Sequence, residues 1–521
     1  MKQRRSLLVI VALLLLVLAA AVYVYLQNSD ELIESNVDGE DIVNVVEPVP
    51  VIGQILVWQG DGIAPGQQNP GNPGSFVRYS GTGKRETLMP VPEGTTRMFP
   101  CSERATSSDG RNLIFYAGHD EGTLFQYDRN GNLNKVDEVG ALTCLGMGTF
   151  QYADDGSRFG YIDFTRDATS QNTPVGTLVI RQTSDRSEQG RFENVTAFDL
   201  MTASLAYVGF FDQNKQAAVF FRQGGNTIEV GTLSADNNCT YRAGDIDIVS
   251  ENRLLVLLGQ SCPGRGSSWN MHTINVEQRS STRIHGGAAG GNYFGNVRIN
   301  ALFVTPDGDT VYFMVPNGVS SDRADLYAVS VSGDDEPERL LRNVIMPEFI
   351  VQSPHNPSRN AWPVVSPDRG WLAVATNSAN NEAAVNLVDL TASDPIVVTL
   401  GATGRGDSIS AMAFSQDGSR LLFVSGGNTS GDNALFAVNM SSQIEERIAR
   451  GRYANRLAVA PDGSAAALGE WQLLDDPVSD RLLNLVRVDL AEHASGVLRT
   501  GADITSTRLA NRRFFYPLQW R

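Results

Sequence analysis

The stretch "VTPDGDTVYFMV" (residues 304–315) reads as a short apolar strand, a tight turn and a second apolar strand. Pro306 fixes φ at the first central position of a type I turn, and Asp307 takes the second. Gly308 accepts the left-handed backbone that closes the hairpin. "TVYFMV" is β-branched, aromatic and almost wholly apolar, the composition of a strand covered on both faces. The same shape returns in "VVSPDRGWLAVAT" (364–376), "FSQDGSRLLFVSG" (414–426) and "VAPDGSAAALGEW" (459–471).

Aspartates mark these turns at Asp109, Asp155, Asp307, Asp368, Asp417 and Asp462, in steps of 46, 152, 61, 49 and 45 residues. The long step spans about three periods and holds two degenerate turns, in "MTASLAYVGFF" from Met201 and "SENRLLVLLG" from Ser250. Eight nodes result. Behind each second strand comes a variable polar loop, then a third strand such as "ADLYAVSV", "NALFAVNM" or "VNLVDL". A short fourth segment follows, such as "PERLL" or "EERIAR". No helical stretch separates the strands, which excludes a parallel β/α repeat. Four antiparallel strands per repeat, packed radially, make an all-β fold, the β-propeller. We expect eight blades, seven being the next count. The strands within residues 52–92 and "RRFFYPLQW" (512–520) are expected to join in one sheet and close the ring.

"VTPDGDTVYFMV … ADLYAVSVSGDDEPERLL" and "FSQDGSRLLFVSG … NALFAVNMSSQIEERIAR" resemble the WD40-like PD40 repeats of TolB-type bacterial propellers. In those repeats a Ser/Thr-Pro-Asp-Gly turn precedes the second strand. The resemblance covers residues 300–490 best, 95–170 fairly and 190–290 weakly. It implies the fold and leaves the activity open. A TolB-type protein also carries a separate α/β domain ahead of its propeller, for which residues 27–100 are too short and too rich in loops.

"MKQRR" sets Lys2, Arg4 and Arg5 before an uncharged apolar run of 20 residues, Leu7 to Leu26. That length crosses roughly 30 Å of hydrocarbon as a helix, with the basic flank in the cytoplasm. The expected domains are therefore a basic tip and membrane anchor (1–26), an acidic stalk (27–52) and an extracytoplasmic propeller (53–521). The alternative is a cleaved signal peptide ending near Ala19-Ala20-Ala21, leaving a secreted or periplasmic chain. The formal net charge is −16, and about −19 once the three basic N-terminal residues are set aside. Such a surface disfavours nucleic acid as a partner.

Four cysteines in an exported chain suggest disulfides, and their spacing matches no zinc motif. Their positions relative to the nodes pair Cys101 with Cys144 on adjacent blades, and Cys239 with Cys262 around one node.

No Gly-x-Ser-x-Gly elbow is present, and no metal-binding spacing joins His119, His272, His285, His355 and His493. "YDRNGNLNKVDE" (127–138) alternates Asp128, Asn130 and Asn132 but lacks the sixth-position Gly of a calcium loop, so it reads as an Asn-Gly hairpin turn. Arg405-Gly406-Asp407 and the Gly-rich "HGGAAGGNYFGN" (285–296) read as loops; Trp371 and Trp471 read as packing residues, and Trp362 as the Trp nearest the channel mouth. No catalytic, cofactor or metal residue is nominated. The sequence thus points to a membrane-anchored module of a bacterial envelope, binding a protein or a glycan. The rival is a propeller enzyme, a lactonase, lyase or glycoside-acting hydrolase, with its site at one channel mouth.

Overall fold

Strand after strand in this chain is apolar on both faces, so each small sheet needs a neighbour on either side. In the computed structural model every named element is a strand. The structure describes most of residues 53–520. Outside the described residues lie 1–52, 62–73, 80–84, 101–104, 119–120, 141–142, 144–149, 165–174, 290–300, 306–307, 318–322, 346–362, 378–382, 401–407, 427–432, 473–481, 491–505 and 511–512, with 94, 96, 108, 237, 265, 334, 393, 395, 452 and 521. Among the described residues no helix is long and apolar enough to cross a membrane. The proposed anchor and stalk, Cys101, Cys144, Asp307, Trp362 and Arg405-Gly406-Asp407 lie outside them, as do His119, His355 and His493.

Among the described residues the strands form seven antiparallel sheets, five of four strands, one of seven and one of eight, which divide into nine four-stranded units when one long strand is counted in two of them. The first joins Ile55–Asp61, Ser75–Tyr79 and Arg85–Pro90 to Arg513–Trp520 from the far end of the chain. The second is Arg97–Pro100, Leu113–Gly118, Glu121–Tyr127 and Leu133–Gly140. The third runs Phe150–Tyr152, Arg158–Asp163, Gly176–Gln182 and into Glu188–Leu200. That long strand bends at a register shift between Val195 and Ala197 and becomes the inner strand of the fourth unit, ahead of Ser204–Phe211, Gln216–Gln223 and Asn226–Ser234. The fifth holds Thr240–Ser250, Arg253–Cys262, Gly266–Asn275 and Ser280–Ala289. Units six to nine begin at Ala301–Val304, Val364–Val365, Ser408–Phe414 and Tyr453–Val459. Eight units carry the eight nodes between their first two strands. The eight-blade expectation counted nodes, and the closing unit has none because its inner strand comes from the other end of the chain.

Alternation places side chains on both faces of each unit, and apolar seams join the units in order. In the first unit Leu56, Trp58 and Phe76 face Phe115 and Phe125 of the second. Ile55, Val57 and Val77 turn the other way, onto Ala458, Ala465 and Ala467 of the ninth. Seven further seams complete the circuit, the one between the second and third units sharing the first cluster. The chain therefore forms a closed β-propeller arrangement.

Candidate functional site

The nodes explain why the chain keeps one turn sequence. In the eighth unit Gly418 N–H donates to Ser415 O (2.9 Å), and Gly418 has φ +70°. Ser415 Oγ donates to Asp417 Oδ1 (2.5 Å) and accepts the Arg420 N–H (3.0 Å). Asp417 Oδ1 also accepts the Ser419 N–H (3.0 Å). Ser107 with Asp109 and Ser366 with Asp368 repeat the arrangement. Asp155 and Asp462 accept the amides of Ser157 and Ser464 without the first hydroxyl. These aspartates hold turns and present no free carboxylate chemistry.

Asp155 and Asp417 sit below the usual carboxylate range: burial raises them, and bonds from Ser157, or from Ser415 and Ser419, more than offset it. For Asp462 the Ser464 hydroxyl is the chief cause of the lowering. A lowered folded-state pKa stabilises above the unfolded value of 3.8 and is lost as pH falls through the folded value. Asp417→Asn keeps the acceptor and removes the titration. Urea unfolding of both forms between pH 7 and 3 should show the wild-type advantage shrinking below about pH 4. A constant difference across that range would contradict the assignment.

Inner strands are tied by buried polar bonds. Asp199 of the fourth unit accepts Gln151 Nε2 from the third (2.8 Å) and the Ile248 N–H from the fifth (2.8 Å). Nodes also meet across the ring. Arg369 Nη2 of the seventh unit lies 2.5 Å from Asp154 Oδ1 of the third, and the Gln416 side chain of the eighth donates to Asp109 O of the second. Turns of non-adjacent units thus meet at this end.

Polar groups of neighbouring strands pair within some seams. Between the second and third units, Tyr161 Oη donates to Asp137, and Arg181 Nη2 binds the same carboxylate at 2.7 Å. The seam between the fourth and fifth units differs. Tyr241 Oη, Asn270 Oδ1 and His272 Nε2 are buried there without a hydrogen-bond partner. Tyr241 is 0% and Asn270 2% exposed. Register explains the grouping: Tyr241 pairs with Gln260, Gln260 with Ser268, Asn270 with Gly286, and His272 with Arg283, all on one face. Asp236, from the link out of the fourth unit, accepts Gln260 Nε2 at 2.5 Å and lies 3.5 Å from Arg283 Nη1. Burial and then the Arg283 guanidinium push the His272 imidazole down to about 4, with Asp236 pulling the other way. Burial, then Asp236, raises Tyr241.

Cys239 and Cys262 are joined at one end of this seam, S–S 2.05 Å. The bridge closes a segment with separation 23. Replacing both by Ser should cost about 3 kcal/mol by loop entropy. A thermal melt of the double variant, compared with oxidised wild type in the absence of reductant, checks it. A loss under about 0.5 kcal/mol would place the bridge among surface effects.

Other sequence readings find their places. Asp128 accepts the amides of Asn130 and Asn132 (both 2.9 Å), and Gly131 has φ +85°, so 127–138 is a hairpin turn. Trp371 packs on the seam of the seventh and eighth units. The Gly-rich segment departs from its reading as a loop: its first five residues extend the strand Ser280–Ala289. Among the described residues no group of three or more His, Cys, Asp or Glu is placed to hold a metal ion. Of the seam residues, only His272 was singled out in the sequence.

No family model matches this chain, and no curated protein matches it. Solved structures resemble it distantly. An oligogalacturonate lyase from Vibrio parahaemolyticus is 11% identical, covering 81% of this chain and 95% of that one, TM-score 0.38. A putative TolB from Agrobacterium tumefaciens is 13% identical, covering 56% and 93%, TM-score 0.31. The Dos1 propeller is 10% identical, covering 72% and 91%, TM-score 0.39. Neither activity nor ligand passes to this chain from likenesses of this size.

Proposed function

We propose that the chain is a membrane-anchored, extracytoplasmic propeller of the PD40-repeat type that serves as a protein- or glycan-binding scaffold of a bacterial envelope. The observation that carries the compartment is the Cys239–Cys262 bridge, which suits an oxidising space outside the cytoplasm. The apolar run Leu7 to Leu26 supplies the tether. Scaffolding is favoured because the recurrent aspartates bind backbone amides and the inner strands are bonded to one another. Such a frame is rigid, and its loops are free to vary. Eight node-bearing blades and one closing unit make up this frame.

The test expresses the full chain in a bacterial host with alkaline phosphatase fused at the C-terminus. The expected result is an active phosphatase that stays with the membranes through an alkaline wash. A phosphatase-inactive fusion in the cytosol overturns the placement. Photo-crosslinkers at exposed loop positions should then give discrete adducts with an envelope protein or a glycan. Turnover of a lactone or an oligosaccharide by the purified chain would favour the enzyme reading instead.

A further inference from the structure

We infer that the seam between the fourth and fifth units is a seat for a guanidinium group, which Arg283 of the chain itself fills in the absence of a ligand. Arg283 Nη2 sits where Gly286 would carry a Cβ, with Asn270 Oδ1 2.7 Å from that position. The guanidinium therefore rests directly on a glycine, in the space any other residue would occupy. The groups around that space accept hydrogen bonds. Asn270 Oδ1 is an acceptor without a donor, and Asp236 is a carboxylate held to Arg283 only at 3.5 Å. His272 Nε2 and Tyr241 Oη, also unpartnered, accept when neutral. Buried polar atoms in folded proteins almost always have a protein or water partner, and three without a protein partner in one seam leave acceptors open to an incoming donor.

Arg283 is a poor permanent occupant. Its side chain is 47% exposed, its one carboxylate contact is long, and it leaves Asn270 Oδ1 unbonded. Swinging outward, it would open the place beside Gly286 and Asn270 Oδ1. An arriving guanidinium can bind Asp236 in two-point fashion and donate to Asn270. The negative net charge of the chain favours the approach of such a cation. The source is either a small free guanidine or an arginine of a partner protein. The seat does not depend on the membrane or on the compartment.

The test uses the full chain in detergent at pH 7.5, with agmatine and the capped peptide Ac-Gly-Arg-Gly-NH2 as probes in titration calorimetry. Arg283→Ala should bind agmatine at least tenfold more tightly than wild type, because the internal competitor is gone. Adding Asn270→Leu or Asp236→Asn to that variant should weaken binding at least tenfold. Binding of both probes assigns the seat to a partner's arginine, and binding of agmatine alone assigns it to a free guanidine; either supports the seat. No binding to Arg283→Ala, or affinity unchanged by Asn270→Leu, overturns it. Should Arg283→Ala fail to fold, the wild type still decides. With phenylglyoxal in excess over agmatine, whose own guanidine also consumes the reagent, agmatine should raise modification of Arg283 at least threefold relative to exposed Arg279 by mass spectrometry, and an unchanged ratio overturns the displacement.

Discussion

Truncation after Asn511 is expected to abolish the cooperative fold or to lower its thermal midpoint by more than about 15 °C. The lost strand, Arg513–Trp520, pairs with all of Ile55–Asp61, from Ile55 against Trp520 to Asp61 against Arg513. About six ladder bonds vanish, at roughly 0.5–1.5 kcal/mol each, or about 3–9 kcal/mol together. Total stabilities are about 5–15 kcal/mol, so the loss is comparable with the whole. The open edge also exposes unpaired amides next to the seam in which Ile55 and Val57 meet Ala458 and Ala467. Gln519 Nε2, which donates to Gly110 O (2.7 Å), goes as well, and with it a tie to the second unit. Circular dichroism melts of the two chains decide the matter. A truncated chain melting within about 2 °C of full length would mean that ring closure contributes little.

The nodes are legible in sequence because their chemistry is local. Ser415, Asp417 and Gly418 bond within six residues, and the letters alone carry the turn. The degenerate node after Leu200 closes through the Met201 N–H to Ser204 O bond (3.0 Å) with no aspartate of its own, so it shows in its flanking apolar runs rather than in its turn. Harder to see is Glu188–Leu200, one strand serving two units. Its change of partner falls at a bulge after Asn194, which has φ +59° and no Gly or Pro to announce it. The seam is illegible for a different reason. Asp236, Tyr241, Asn270, His272 and Arg283 lie on three strands and a link, and only the register reveals that they share a face. The glycines of "HGGAAGG" mislead for a related cause. Gly286 and Gly287 are strand residues kept small because Arg283 and the Trp269 ring lie against them.

Phe115→Ala is expected to destabilise the chain by about 3–5 kcal/mol, more than any surface change. Phe115 is fully buried in the seam between the first and second units. Its ring meets Phe76 edge-on at 5.2 Å and stacks on Phe125 at 5.6 Å. Phe76 and Phe125 are themselves 5.3 Å apart, so removing the middle ring leaves a hollow that neither neighbour can close without breaking the other pair. Each lost pair adds about 0.5–1.5 kcal/mol to the burial loss. Phe211, 38% exposed on the fourth unit, is the control, and Phe211→Ala should cost less than about 1 kcal/mol. Phe115→Leu, which refills most of the volume, should recover more than half of the loss. Urea unfolding reads all three. Because every unit borrows its core from two neighbours, the Phe115→Ala transition should shift as a whole rather than split into an early phase and a late one. A split would show that the closing unit and its neighbour melt apart from the rest. Equal effects for Phe115→Ala and Phe211→Ala would show that the seam is not where the stability of the ring resides.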